Sequence, residues 1–349
     1  MSDRITKIYN KLNAEAMLTA APDLRFYLTG FSSSFGLLIT DKRGSVFYTD
    51  ARYLEAAQSA LKTSGICVKE MPKGVTEAQL VSGYNSVAVP FSRLTAEEYI
   101  ALKNSATLTD STQAFSEAMV CKEAAELNSI AAACKIADGA FNSLLPAVKE
   151  GVTENDVAAE LEYLMRKGGA SGVSFSTIVA FGANASVPHH ETGLTKLKYG
   201  DEVLIDFGCK YQGYCSDCTR TFLFGDDNAH GDFKRIYSHV LTAQNMVIDG
   251  LYSGISAKAA DGIARDYLKN YGLDKYFTHS LGHGVGINIH EAPYLSPKST
   301  DILTDGMVFS DEPGVYISGN LGIRIEDTLT LTGGRAARLT NLDKALLIL

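Results

Sequence analysis

Residues 203–222 read VLIDFGCKYQGYCSDCTRTF. Apolar and β-branched residues on either side of a polar, glycine-containing centre predict two extended segments folded back as a hairpin. Asp206 and Asp217 stand equally far from a turn centred on Tyr211-Gln212. In that register they oppose each other, with Cβ atoms roughly 4.5–5.5 Å apart on one face. Two carboxylates so close raise each other's pKa unless a cation lies between them. The stretch therefore reads as strands that carry acids towards an ion.

The pattern recurs downstream in DEPGVYISGNLGIRIEDT, residues 311–328. Glu312 and Glu326 are equidistant from Gly319 in the turn signal Ser318-Gly319-Asn320. Between the two hairpins, LGHGVG at 281–286 offers the imidazole of His283. Each acid alone reads as a solvated strand or turn residue, but the set supplies four carboxylates and one nitrogen. Oxygen-rich ligation with one imidazole suits a harder divalent ion, Mn²⁺ or Co²⁺ before Zn²⁺. Two such ions about 3.5–4 Å apart would hold a water and lower its pKa towards neutrality, which makes a nucleophile.

The remaining composition narrows the function class. A chain of 349 residues suits two domains, and 46% hydrophobic with 21% charged residues is ordinary for a globular protein. A net charge of −8 without a basic stripe argues against nucleic acid. No apolar run is long enough for a bilayer, and the start MSDRITKIYNKLN lacks a secretory apolar core, so a cytoplasmic protein without membrane contact is expected. Cys215 and Cys218 form a C-x-x-C, but residues three apart on a strand face opposite ways, so reduced thiols packed near the ion site are expected. All seven histidines lie at or after His189, which places the chemistry in the second half.

Residues 1–118 alternate short β-like runs (FGLLITD, SVFYTD, SVAVPF) with helix-like ones (RYLEAAQSALKTS, TAEEYIALKNS), an α/β pattern. The character changes near Ser116 to Glu126, where a long helical stretch begins that is expected to stop at Gly151. A domain boundary between 118 and 119 follows, with residues 119–349 as the catalytic part. There, TENDVAAELEYLMRKGG opens on a capping-box-like Thr153-x-x-Asp156. The fold class expected is α+β.

The segments DFGCKYQGYCSDCTRTF, HSLGHGVGINIHEAP, EPGVY and IRIED resemble the two-metal peptidases of pita-bread fold, the family of aminopeptidase P, prolidase and methionine aminopeptidase. The stretch from Asp23 to Ala57 resembles the creatinase-type amino-terminal domain, which Xaa-Pro peptidases carry and plain methionine aminopeptidases lack. The resemblance implies that Asp206 chelates one metal, that Asp217 and Glu326 bridge, and that His283 with Glu312 completes the second. It implies substrate contacts from His189, His290 and His279, with His189 preferred over its neighbour His190. Glu312 is expected to shuttle the proton, His189 and His290 to donate hydrogen bonds to the reacting carbonyl, and Arg324 to orient a carboxylate. Proline-containing peptides or dipeptides are the implied substrates, and a homodimer the implied assembly.

Three departures from the family pattern stand out. Asp311 occupies a place that is more often apolar; strand alternation should turn it away from Glu312. His189-His190 is a tandem, and MVCKEAAEL lacks an arginine common at the helix entry. His230 and His239 are given no role, and Tyr27, Arg52 and Tyr53 are read as structural. The rival functions are a metal-free creatinase-like C–N hydrolase and a non-catalytic peptide-binding relative. Retention of all five ligands argues against both.

Overall fold

The computed structural model describes residues 2–225 and 231–349. Its chain divides into two compact units, Met1–Met119 and Val120–Leu349. Among the described residues, no helix is long and apolar enough to cross a membrane.

The first unit is a six-stranded mixed sheet flanked by short helices. Its strands run in the order Cys67–Glu70, Gly44–Thr49, Leu37–Asp41, Ala16–Thr19, Ser86–Val89, Thr107–Asp110. The expected runs FGLLITD and SVFYTD form an antiparallel hairpin, and SVAVPF lies parallel to Ala16–Thr19. Tyr27 donates from its hydroxyl to Ala118 O (2.7 Å), Arg52 is paired with Asp50, and the Tyr53 hydroxyl meets Ser34 Oγ (2.8 Å). All three act within this unit.

In the second unit two antiparallel sheets face helix pairs. One sheet orders Cys218–Leu223, Glu202–Phe207 and Ile178–Phe181; the other runs Glu291–Leu295, Gly282–Gly284, Val308–Asp311, Asp327–Thr332, Arg335–Arg338. Ala124–Leu144 and Glu154–Lys167 pack on the first through a core that includes Phe141, Leu161, Ile205, Phe207 and Phe222. Gly231–Gly250 and Ala257–Lys269 pack on the second through Val240, Val247, Ala264, Phe309 and Leu329. Each helix buries an apolar stripe at three- and four-residue spacing, which is why the strands beneath are buried on that face.

Two boundaries bear on the sequence reading. Thr153 caps Glu154–Lys167 as expected, accepting from Asp156 N while the Asp156 side chain accepts from Thr153 N. The long helix, however, ends at Leu144 and tightens into a 3₁₀ turn over Leu145–Ala147, well before Gly151. Pro146 lacks an N–H for the helical ladder and disfavours helical backbone in the residue ahead of it, so the proline and not the glycine sets the stop.

Candidate metal centre

The first hairpin turns on Gln212-Gly213, with φ of 48° and 84° at these two residues. Positive φ at both central positions is the type I′ geometry that suits tight hairpins, and glycine at the second position makes it accessible. The turn thus sits one residue beyond Tyr211-Gln212, and the register differs from expectation by two. Asp206 pairs with Thr219, not with Asp217, and Asp217 lies in the break between Tyr214–Cys215 and Cys218–Leu223. A slip of two preserves the face. Both carboxylates therefore still point the same way, as diagonal neighbours.

The second hairpin has the expected register. Gly314 pairs with Arg324, and Asp311 pairs with Asp327 on the adjoining ladder. Glu312 and Glu326 occupy matching places where one ladder gives way to the next. Ser310 Oγ donates to Glu312 Oε1 (3.0 Å), and Thr219 Oγ1 donates to Glu326 Oε2 (2.6 Å).

His283 comes from a third strand between two glycines. A Cβ at Gly282 would collide with the Ser310 carbonyl, and one at Gly284 with the Ala292 carbonyl. Bare backbone lets the strands close around the histidine. Its Nδ1 donates to Gly284 O (3.2 Å), which leaves the Nε2 lone pair facing Glu312 Oε1 at 3.3 Å and Asp217 Oδ2 at 3.6 Å. Burial lowers the His283 pKa and so keeps that lone pair free.

Ligand oxygens of Asp206, Asp217 and Glu326 lie within 4.8 Å of one another. Burial, then repulsion from Glu326, pushes the Asp217 carboxyl well above its usual range; burial, then Glu312, does the same to Glu326. Burial raises Glu312 to about 7. Asp206 Oδ1 is buried without a hydrogen-bond partner among the described residues. Crowded, desolvated acids with an orphaned oxygen and a free imidazole nitrogen fit divalent cations and little else.

Arg324 organises the near wall. Nη2 donates to Asp206 Oδ2 (2.6 Å), Nε to Thr219 Oγ1 (3.0 Å), and Nη1 to the Tyr316 hydroxyl (2.6 Å) and Pro188 O (3.3 Å). The Tyr316 hydroxyl in turn meets His279 Nε2 (3.0 Å), while His279 Nδ1 meets Ser280 O (2.8 Å). Both ring nitrogens of His279 are thus spent inside the protein. His279 thereby buttresses Tyr316 from the cavity wall, and burial beside Arg324 depresses its pKa to about 3.

Tyr316 was not anticipated from sequence. Its only trace is the glycine two residues earlier in EPGVY: a Cβ on Gly314 would strike the Tyr316 hydroxyl. Thr219, Ser310 and Glu154 were missed as well, because single hydroxyls and acids carry no pattern of their own.

The four acids, His283 and Arg324 line one cavity of about 720 Å³ together with His189, His279, His290, Phe175, Ile178 and Ile289. The His290 ring centroid lies 4.2 Å from that of His283. His189 lines the same cavity as Glu312, whereas His190 turns its Nε2 to Glu154 Oε2 (2.9 Å). Asp311 is fully buried opposite Asp327, on the far side of the strand from Ser310 and Glu312. Cys215 and Cys218 are separate buried thiols. His239 stacks on Tyr271 (3.9 Å) outside the cavity, and His230 lies outside the described residues.

Hairpin-borne acids, one imidazole and paired helix–sheet halves define a metallohydrolase of pita-bread architecture. Residues 128–333 match metallopeptidase family M24, and residues 2–118 match the creatinase/prolidase N-terminal domain. The chain belongs to metallopeptidase family M24. It is 34% identical to an Xaa-Pro dipeptidase of Pyrococcus horikoshii, over 99% of both chains. An Xaa-Pro dipeptidase structure from Bacillus anthracis superposes with a TM-score of 0.93 at 33% identity, covering 99% of this chain and 98% of the other. An X-Pro aminopeptidase structure from Thermotoga maritima gives 0.90 at 29% identity, with 98% and 99% covered.

Proposed function

We propose that this chain is a metal-dependent exopeptidase that cleaves the bond between an N-terminal residue and a following proline. The observation that carries the reading is the convergence of Asp206, Asp217, His283, Glu312 and Glu326 at the floor of one cavity whose walls bear His189 and His290. These five residues would hold two divalent ions, with Mn²⁺ preferred and Co²⁺ or Zn²⁺ accommodated. When bound, such a pair supplies Lewis acidity and a water acidified towards neutrality.

The chain's own groups supply the rest. Glu312, at the floor of the cavity beside His283, is the carboxylate placed to exchange protons with the attacking water. It takes a proton from the attacking water as the water oxygen bonds to the peptide carbonyl carbon. It returns that proton to the proline nitrogen as the C–N bond breaks. His189 and His290 donate hydrogen bonds to the carbonyl oxygen as charge gathers on it. Burial, then His283, lowers the His290 pKa, and a neutral imidazole still offers one N–H. Arg324 holds Asp206 in place by a charge-assisted bond.

Named relatives of both kinds, dipeptidase and aminopeptidase, support the proline specificity without separating the two. The family resemblance supports a homodimer, and six free thiols support a reducing, cytoplasmic setting. The test is metal-stripped protein reloaded with Mn²⁺, Co²⁺ or Zn²⁺ and offered Ala-Pro, Ala-Pro-Ala and Met-Ala-Ala. Cleavage of either proline peptide supports the proposal and assigns the branch. Hydrolysis of Met-Ala-Ala alone overturns it.

A further inference from the structure

We propose that Glu154 is a positioning residue for catalysis, acting through His190 and the backbone of residues 181–193 to aim His189 at the reacting carbonyl. The inference rests on the role given to His189 above.

Glu154 opens the helix Glu154–Lys167 and is 0% exposed. All four of its recorded side-chain bonds go to this one segment. Oε1 accepts from Phe181 N (3.0 Å) and Asn184 Nδ2 (2.8 Å). Oε2 accepts from His190 Nε2 (2.9 Å) and Gly193 N (3.0 Å). An ionised carboxylate accepts only, and four donors converging on two buried oxygens make a stiff node. The carboxylate thereby spans the loop from its entry at Phe181 to its exit at Gly193.

His189 itself has no hydrogen-bond partner among the described residues, although it lines the cavity. Its direction is therefore imposed by its neighbours. Pro188 O is held by Arg324 Nη1 (3.3 Å), and His190 is held by Glu154. His190 N donates to Val187 O (3.2 Å), so Pro188 and His189 are the central pair of a tight turn. With Pro188 held by Arg324 and the His190 ring anchored on Glu154, both sides of that turn are fixed, and the His189 ring is left to the cavity. The tandem histidine is a division of labour: one ring is an anchor, the other a tool. Glu154 touches none of the five ligands, so its effect should reach the reaction only through His189.

A double-mutant cycle tests this with the metal-loaded full chain and Ala-Pro-Ala or Ala-Pro, whichever is cleaved. His189→Ala should lower kcat by about 10²-fold, the usual cost of an oxyanion donor. Glu154→Gln should lower kcat by about 10-fold, because a donor replaces one acceptor and the loop loses its setting. In the His189→Ala background, Glu154→Gln should change kcat by about twofold or less. KM and Mn²⁺ affinity should hold within about twofold throughout. Independent, multiplying losses overturn the inference while leaving the proposed activity standing. Unchanged kcat in His189→Ala overturns the role of His189 and the inference with it. If Glu154→Gln does not fold, His190→Gln leaves three of the four Glu154 bonds in place. The same loss of effect in the His189→Ala background is then expected, and additivity again overturns the inference.

Discussion

Arg324 grips one oxygen of Asp206, Nη2 to Oδ2 at 2.6 Å, while Oδ1 of the same carboxylate stays buried without a partner among the described residues. The guanidinium fixes the plane of the carboxylate and so presents the second oxygen to the cavity. A lysine is a point charge on a flexible stem and cannot reproduce four directed bonds. Arg324→Lys is expected to lower kcat about 10²-fold and to weaken metal binding about 10-fold or more. Steady-state kinetics beside metal titration checks both; near-normal values in both would show Asp206 to be held by other means.

Asp217 is buried beside the other acids, and its pKa is raised first by burial and then by Glu326, Asp206 and Glu312. Asp217→Ala should abolish turnover, and exhaustive chelation of the unaltered chain should do the same, reversibly on adding Mn²⁺. Retention of near-normal rates in either experiment would end the two-ion reading.

Crowded acids also make an expectation about pH. Glu312 has its folded-state pKa raised from 4.5 to about 7. The native state then binds more protons than the unfolded chain between these values, so stability is fully present below pH 4.5 and is lost as pH rises through about 7. For Glu312 alone the loss is about 3 kcal/mol. Bound cations favour the ionised acids and reverse the sign. Melting curves of chelated protein should fall across this window, and those of Mn²⁺-loaded protein should not. Parallel curves for the two forms would count against metal neutralisation of the acids.

Asp311 gives a stability test independent of the site. Both its oxygens are buried without partners among the described residues, and burial, then Asp327, raises its pKa well above the usual range. Asp327 keeps Arg220, Gln244 and Thr340. Asp311→Val removes the strained acid and suits a strand, so it should stabilise the protein by about 1–3 kcal/mol in urea unfolding. With Asp311 turned away from the cavity, kcat should stay within about twofold. A destabilised variant would mean that the carboxyl has a partner yet to be identified.

Much of this site could be read in the chain because charge makes it conspicuous. Four carboxylates and an imidazole in two hairpins and one glycine-flanked segment are costly to crowd without an ion, so their pattern carries its own explanation. The second register was legible from the Ser318-Gly319-Asn320 turn. The first was misplaced because Tyr-Gln and Gln-Gly lie one residue apart, and only the backbone angles choose between them. Parity rescued the conclusion, since a slip of two leaves a side chain on its face. Tyr316, Thr219 and Glu154 stayed hidden for another reason: their partners lie 8, 107 and as many as 39 positions away. Ala16–Thr19, Cys67–Glu70 and Thr107–Asp110 are only four residues each, too short to display a period.

The buried thiols carry one more consequence. Cys134, Cys209, Cys215 and Cys218 are sealed within the catalytic unit, whereas Cys67 and Cys121 are exposed. A colorimetric thiol reagent should therefore register two prompt equivalents in intact protein and four latent ones as the fold opens. The chain thus keeps its own tally of integrity, readable in any of the variants above without attaching a dye.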